Sequence, residues 1–416
     1  MVISGNKRCV VIIAAIIAGI LVFNRCSSFD KKNKKGSPKF SDFSRSEACF
    51  RCHDEIYKKH LNTAHFKSSA PAGKGLIKGS FDPGQNEFYY NEFSKVVMEE
   101  RGDSLYQVHY LLEKEKAKSK FDIVIGSGKK GQSYLSWKRQ SLIQMPITYF
   151  TPTNSWSISP GFSTATVAFN RVVTSRCLEC HSTFVQKTSS EEKHPEEFDQ
   201  SKIIYGISCE KCHGPGKEHV KFHSENPSIT QAKYIINPAK LLRQINLDLC
   251  ALCHGGRLEK IRPSFSFIAG DSLGEFFNIH KTAVSGDNID VHGNQLGSLS
   301  FSKCFTNSNM TCESCHNVHE NETGKLETFS ARCMNCHSVG HSKTCGLTKE
   351  LGEIINQNCL DCHMPLQPSQ SIVVFLQGEM MPTHAKLRNH YIKIYKDESD
   401  KIIKFLRSNS GAKSRN

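Results

Sequence analysis

The sequence is poor in long apolar runs. Its one such run, Cys9 to Phe23, holds 15 residues, short of the about 17–25 that a membrane-spanning helix needs. Hydrophobic content is 38% and mean hydropathy is −0.41, so the bulk of the 416-residue chain is soluble. Acidic residues are scarce too: 40 Asp and Glu face 54 Lys and Arg, for a formal net charge of +14. A basic chain points first to nucleic acid or an anionic surface. Basic–aromatic interleaving and zinc-finger spacing are both missing, however, and no nucleic-acid partner is expected. An A-x-A cleavage site is also missing after the apolar run.

Lys7 and Arg8 precede that run, which is the pattern of an export signal. Cys26 stands where a lipoprotein cysteine would, although Arg25 before it is not the small residue such processing prefers. Residues 1–25 therefore read as a signal or membrane anchor, and the polar, Lys-rich residues 26–45 as a flexible tether. The rest of the chain is expected outside the cytoplasm, on the periplasmic side of a membrane or at the cell surface. The N-terminal helix, or a lipid on Cys26, would hold it there.

Eighteen cysteines are many for this length. Fourteen of them fall into seven C-x-x-C-H motifs: Cys49, Cys52, His53; Cys177, Cys180, His181; Cys209, Cys212, His213; Cys250, Cys253, His254; Cys312, Cys315, His316; Cys333, Cys336, His337; and Cys359, Cys362, His363. Chance predicts roughly 0.04 such matches for this composition. Two thiols three positions apart share one side of a helical turn, where each can form a thioether to a haem vinyl group. The histidine that follows reaches the iron from the proximal side. Zinc ribbons use C-x-x-C pairs, but zinc chemistry does not place His after every second Cys. The expectation is seven covalently attached haem c groups, with His53, His181, His213, His254, His316, His337 and His363 as proximal ligands. Fourteen propionates would then offset the charge of +14.

An electron-transfer haem usually takes a second strong axial ligand. Twelve histidines lie outside the motifs. The two axial ligands approach from opposite faces, so His319, three residues after His316, is read as serving a neighbouring haem. His219 is read the same way, because Gly214-Pro215-Gly216 separates it from His213. His194 sits in a charged run and reads as a surface histidine, whereas His60, His109, His223 and His280 fit either role.

These segments resemble multihaem c-type cytochromes related to the tetrahaem cytochrome of ammonia oxidisers. That wider group includes hydroxylamine oxidoreductase and multihaem nitrite reductases. SEACFRCHDEIYKKHLNTAH looks like the family's first haem segment and implies His65 as a distal ligand. CEKCHGPGKEHV implies His219, and CESCHNVH implies His319. VHGNQL followed by SKCF implies His292, GHSKTC implies His341, and CLDCHMP followed by RNHYI implies His390 over His384. Six nominated distal ligands leave one haem to His384, His223 or His60, or five-coordinate. The nitrite reductases carry a C-x-x-C-K motif at their active haem, and this chain has none. The tyrosine cross-link of hydroxylamine oxidoreductase has no assignable residue here.

Motif spacing sets the domain expectations. Residues 46–70 form a first haem segment, 71–175 a haem-free insertion, 176–365 a six-haem core, and 366–416 a C-terminal segment that returns distal ligands. Within 71–175, FYYNEF, SLYQVHYLLE, FDIVIGSG and SLIQMPITYF are Tyr-, Ile- and Val-rich runs with partial alternation, the pattern of strands and hairpins. Gly126, Gly128 and Gly131 match G-x-G-x-x-G, but a strand-like QSYLSWKRQ follows and position 151 is Thr151. A hairpin turn is expected, not a dinucleotide site. The family has a similar glycine turn, followed by a PI-x-Y segment and W-x-x-SPG, as at Trp156 to Gly161. The expected fold is mainly α: a loop-rich multihaem core with a β-rich insertion after the first haem motif. Cys304 and Cys345 lie in exported loops and are expected to form a disulfide.

The expected function is electron transfer. The partners would be electron donor or acceptor proteins, or a quinol-linked membrane complex, with the membrane reached through the N-terminal anchor. The alternative is a multihaem oxidoreductase acting on hydroxylamine, a nitrogen oxide or a sulfur oxyanion at one open-coordinated haem. No catalytic residue is nameable from the sequence.

Overall fold

Alternating apolar residues in the stretch after the first motif build the sheets of the protein. A computed structural model describes residues 36–280, 285–338 and 345–413. The expected anchor at 1–25, residues 26–35 of the tether with Cys26, and His341 lie outside the described residues, as does Cys9. Lys39–Asn416 forms one compact unit. Among the described residues no helix is long and apolar enough to cross a membrane.

Glu87–Asn91, Ser94–Arg101, Ser104–Leu111 and Lys114–Lys120 form a four-stranded antiparallel meander in chain order. Arg101 pairs with Ser104 across a two-residue turn, and Gly102 takes the left-handed conformation there, at φ 58°. Ile123–Ile125 pairs antiparallel with Gly131–Lys138. The glycine-rich segment is therefore the expected hairpin turn, with Gly126 and Gly128 at positive φ.

A nine-stranded sheet runs from Ser69–Pro71 through Ile123–Ile125, Gly131–Lys138, Ile147–Phe150 and Ser155–Ile158 to Leu366–Leu376 and Thr383–Arg388. Ser141–Gln144 and Arg171–Val172 lie off this path. The C-terminal segment thus adds two strands to the sheet of the insertion, joined where Ser157 pairs with Leu376. His390 follows the last strand by two residues.

The mainly α expectation does not hold. The chain is 31% helical and 26% strand, with several antiparallel sheets. Two physical causes stand out. Most helices that carry motif residues are one turn long, such as Ser175–Glu179, Cys209–His213 and Cys359–His363. Gly214, at φ 80°, stops the second of these. Apolar and β-branched segments outside the insertion also pair as strands: Ser182–Lys187 with Phe198–Tyr205, and Leu366–Leu376 with Thr383–Arg388.

The largest apolar cluster lies between the meander and the nine-stranded sheet. It includes Met98, Phe121, Tyr134, Met145, Ile147 and Trp156. Trp156 lies over Gly79, where an added Cβ would come 2.0 Å from the indole. A second cluster joins Leu135 and Leu142 to Phe184 and Phe198. A third collects Ala251, Leu252, Leu273 and Phe277, and a fourth Phe150, Val374 and Ala385. Among the described residues, 300–365 contributes to none of these clusters. That stretch holds three complete motifs, and its side chains alone do not make an apolar core.

Gln107, fully buried in the meander, joins the two sheets. Its amide nitrogen donates to the Ile147 carbonyl at 2.7 Å, and its carbonyl accepts the Ile147 N–H at 3.1 Å. Gln107→Leu keeps the volume but strands both groups. It should cost about 2 kcal/mol, read as a lower urea midpoint with an unchanged haem absorption spectrum.

Candidate functional site

Each motif is held on about one helical turn. The N–H of His53 donates to the carbonyl of Cys49 at 2.9 Å, and that of His316 to Cys312 at 3.0 Å. The motif at 250–254 ends helix Arg243–His254, and the motif at 333–337 ends helix Leu326–His337. Asn358 caps helix Cys359–His363 through the N–H of Asp361.

The motif histidines show a repeated bonding pattern. Nδ1 of His213 bonds the Ile236 carbonyl at 2.8 Å, that of His254 the Gln295 side chain at 3.0 Å, and that of His363 the Lys393 carbonyl at 3.1 Å. His390 does the same with the Arg388 carbonyl at 3.2 Å, and His219 with the Lys233 carbonyl at 2.7 Å. A proton held on Nδ1 leaves the Nε2 lone pair for a metal, as iron-binding imidazoles require.

Three motif histidines meet a histidine from a distant segment. His254 faces His65 with ring centres 6.1 Å apart, His213 faces His319 at 6.2 Å, and His316 faces His390 at 6.3 Å. The charge of His292 reaches His181, which burial chiefly holds below the usual imidazole range. A metal–imidazole bond of about 2 Å on either side of one iron, plus about 1 Å from nitrogen to ring centre, separates two rings by about 6 Å. The observed spacings fit an iron between each facing pair. His65 and His316 are open to solvent yet enclosed by protein, as groups lining a cleft are. Enclosure and the facing histidines push the pKa of His65 and of His390 down to about 4. Both rings are therefore neutral, the form that binds a metal.

The other histidines separate by environment. His60 is buried, but its Nε2 is bonded to the Ile207 carbonyl at 3.0 Å, so its ring edge packs beside His319. His109 bonds Ser94 within the meander at 3.0 Å. His280 bonds Glu259 at the surface at 2.9 Å, and His194 is exposed. His223 lies 4.6 Å from His219, with Nδ1 on the Ile229 carbonyl and Nε2 buried without a hydrogen bond. His384 bonds the Ser369 carbonyl at 2.7 Å. His53 and Cys52 are exposed. His337 ends its helix near His363. Cys304 and Cys345 are free thiols. Cys304 neighbours Cys336, and Cys345 neighbours Cys362. No bond joins the two in this structure.

Several supporting residues escape a sequence reading. Glu210, at an x position of its motif, is buried and accepts the N–H groups of Ser44, Arg45 and Gly216 at 2.8, 2.9 and 2.7 Å. Burial raises its pKa while these bonds oppose the rise. Glu179, at an x position of the motif at 177–181, is buried on the N–H of Phe265 at 2.6 Å and on Arg176 at 2.9 Å. Arg332 pairs with Glu322 and donates to the Cys315 carbonyl at 2.7 Å. A charged residue inside C-x-x-C-H was the available signal, but its partners lie far away in sequence.

A family model described as cytochrome c554 and c-prime matches residues 157–214, a span that holds two of the motifs. Among solved structures, the chain is similar to the outer cell wall cytochrome OcwA, at 15% identity and a TM-score of 0.51, covering 87% of this chain and 81% of that one. It is also similar to an undecaheme cytochrome from the S-layer of Carboxydothermus ferrireducens, at 16% identity and a TM-score of 0.36, covering 88% of this chain and 54% of that one. No curated protein matches. The likeness to OcwA shows a shared fold, and the family match, with the repeated motifs, implies covalently bound haem c.

Glu210→Ala leaves three backbone donors without an acceptor and should cost at least about 3 kcal/mol. Glu210→Gln, which keeps one oxygen, should fall between it and wild type in urea unfolding. Denatured haem-loaded protein should yield both Cys304 and Cys345 to a thiol-specific reagent, identified by peptide mass.

Proposed function

We propose that this chain is an electron-transfer cytochrome that works outside the cytoplasm and carries seven haems, one on each C-x-x-C-H segment. The observation that carries the reading is the set of facing imidazole pairs, each joining a motif histidine to a distant segment. Bound haem supplies a one-electron couple. The protein supplies the thiols that attach it, neutral Nε2 atoms on both faces, and carbonyls that hold the Nδ1 protons. Two strong axial ligands favour a low-spin couple over substrate chemistry. His65, His292, His319 and His390 take the distal role opposite His254, His181, His213 and His316. His219 and the undescribed His341 are assigned the same role on the family resemblance, as is kinship with the tetrahaem cytochrome of ammonia oxidisers.

An extracytoplasmic site is supported by the export-type N-terminus and by likeness to a cytochrome of the outer cell wall. A second reading, an oxidoreductase for small nitrogen or sulfur species, rests on six nominated distal ligands for seven motifs.

The haem-loaded chain should give seven haems per polypeptide in a pyridine haemochromogen assay. Electron paramagnetic resonance should show low-spin haem throughout. Reduced protein should be reoxidised rapidly by a small redox protein or a ferric chelate. A high-spin fraction near one haem in seven would favour the oxidoreductase, and no exchange with any carrier would rule out electron transfer.

A further inference from the structure

The motif histidines differ in what holds their rings. Nδ1 of His213 and of His363 bonds a backbone carbonyl, at 2.8 and 3.1 Å. Nδ1 of His181 is buried without a hydrogen bond. Nδ1 of His254 bonds a side chain, the Oε1 of Gln295, at 3.0 Å. A backbone carbonyl is the same whatever residue carries it, whereas a side-chain acceptor is specified by the sequence.

The amide of Gln295 is held in one orientation. Its Nε2 donates to the Val291 carbonyl at 3.1 Å, which turns Oε1 toward His254. The reverse orientation would set two carbonyl oxygens against each other. An amide oxygen only accepts, so the shared proton belongs to His254 Nδ1, and Nε2 of that ring keeps its lone pair. The short helix that carries the amide, Gln295–Leu299, is fixed at both ends. Asn294 caps it by accepting the Gly297 N–H at 3.2 Å. Just before the cap, the Gly293 carbonyl accepts the N–H of Gly256 at 2.8 Å, two residues past the 250–254 motif. Towards its far end Ser298, buried, donates to Asn389 at 2.8 Å. His254 itself is enclosed: burial lowers its pKa, and the bond to Gln295 opposes the fall. A hydrogen bond inside the protein is electrostatically stronger than one in water.

We propose that Gln295 is a positioning residue that sets the reduction potential of the haem on the 250–254 motif, by accepting the Nδ1 proton of His254. The proposal rests on the electron-transfer reading and deepens it. An imidazole whose Nδ1–H is drawn toward an acceptor is a stronger donor through Nε2. A stronger donor favours ferric over ferrous iron and lowers the potential. Gln295 therefore holds this haem below the potential that the same ring would give without an acceptor. A neutral amide lowers it less than a carboxylate would. Val291, the other partner of the amide, precedes His292. The residue that tunes His254 is thus anchored on the segment assigned to the haem of His181.

The test uses the full haem-loaded chain and needs no redox partner. His65→Gly removes the ring that faces His254, so that in the ferrous state one haem in seven should give an iron–histidine stretching band in resonance Raman. The frequency of that band rises with the strength of the Nδ1 hydrogen bond. Adding Gln295→Met, which keeps the length of the side chain but has no oxygen, should move the band down. Adding Gln295→Glu should keep it in place or move it up. In the chain that retains His65, Gln295→Met should raise the midpoint of one haem in seven in a spectroelectrochemical titration, and Gln295→Glu should not. A merely structural role would shift both variants in the same direction or neither, and either result overturns the proposal. A His65→Gly protein without the band overturns the pairing of His65 with His254 instead. The titration in the chain that retains His65 then decides for Gln295 by itself.

Discussion

An electron-transfer haem usually takes two strong axial ligands, and the histidine of a C-x-x-C-H turn reaches only one face. The second imidazole has to come from elsewhere in the chain. Much of the tertiary structure can be traced to that requirement. His65 crosses nearly 190 residues of sequence to face His254, and His319 reaches back more than 100 to face His213. His390 reaches His316 because the C-terminal hairpin first joins the sheet of the insertion. The β-structure therefore positions a ligand as well as forming a scaffold. The same requirement accounts for the low pKa of His65 and His390, since rings enclosed among other histidines stay neutral.

Polar side chains hold the motifs at their mutual distances. Glu210 ties the first and third motifs, Arg176 the second and fourth, Arg243 the fourth and fifth, Arg332 the fifth and sixth, and Ser330 the sixth and seventh. All but Ser330 are charged residues that bond backbone groups of the neighbouring segment, where a directional bond fixes a spacing better than apolar contact does. The stretch 300–365, which contributes to no apolar cluster, depends most on such bonds.

The strands of the insertion and its glycine turn were legible because period-two alternation and a Gly-rich break are local signals. The helical estimate failed for a reason that is also local. A C-x-x-C-H motif dictates one turn of helix, and that turn was extended in expectation well beyond the motif, where strands in fact pair.

The sequence by itself determined the chemistry. Seven repeats of one spacing name the cofactor, its attachment atoms and one ligand apiece, because thioether formation and proximal ligation act within a single turn. Tertiary structure decided everything that needs two segments: which histidine faces which motif, which carboxylate clamps which backbone, and which motif adjoins which. The motif that comes second along the chain borders the one that comes fourth, through Arg176 and the Leu252 carbonyl. Spacing along a chain carries no information about such an order, which hydrogen bonds between distant segments set.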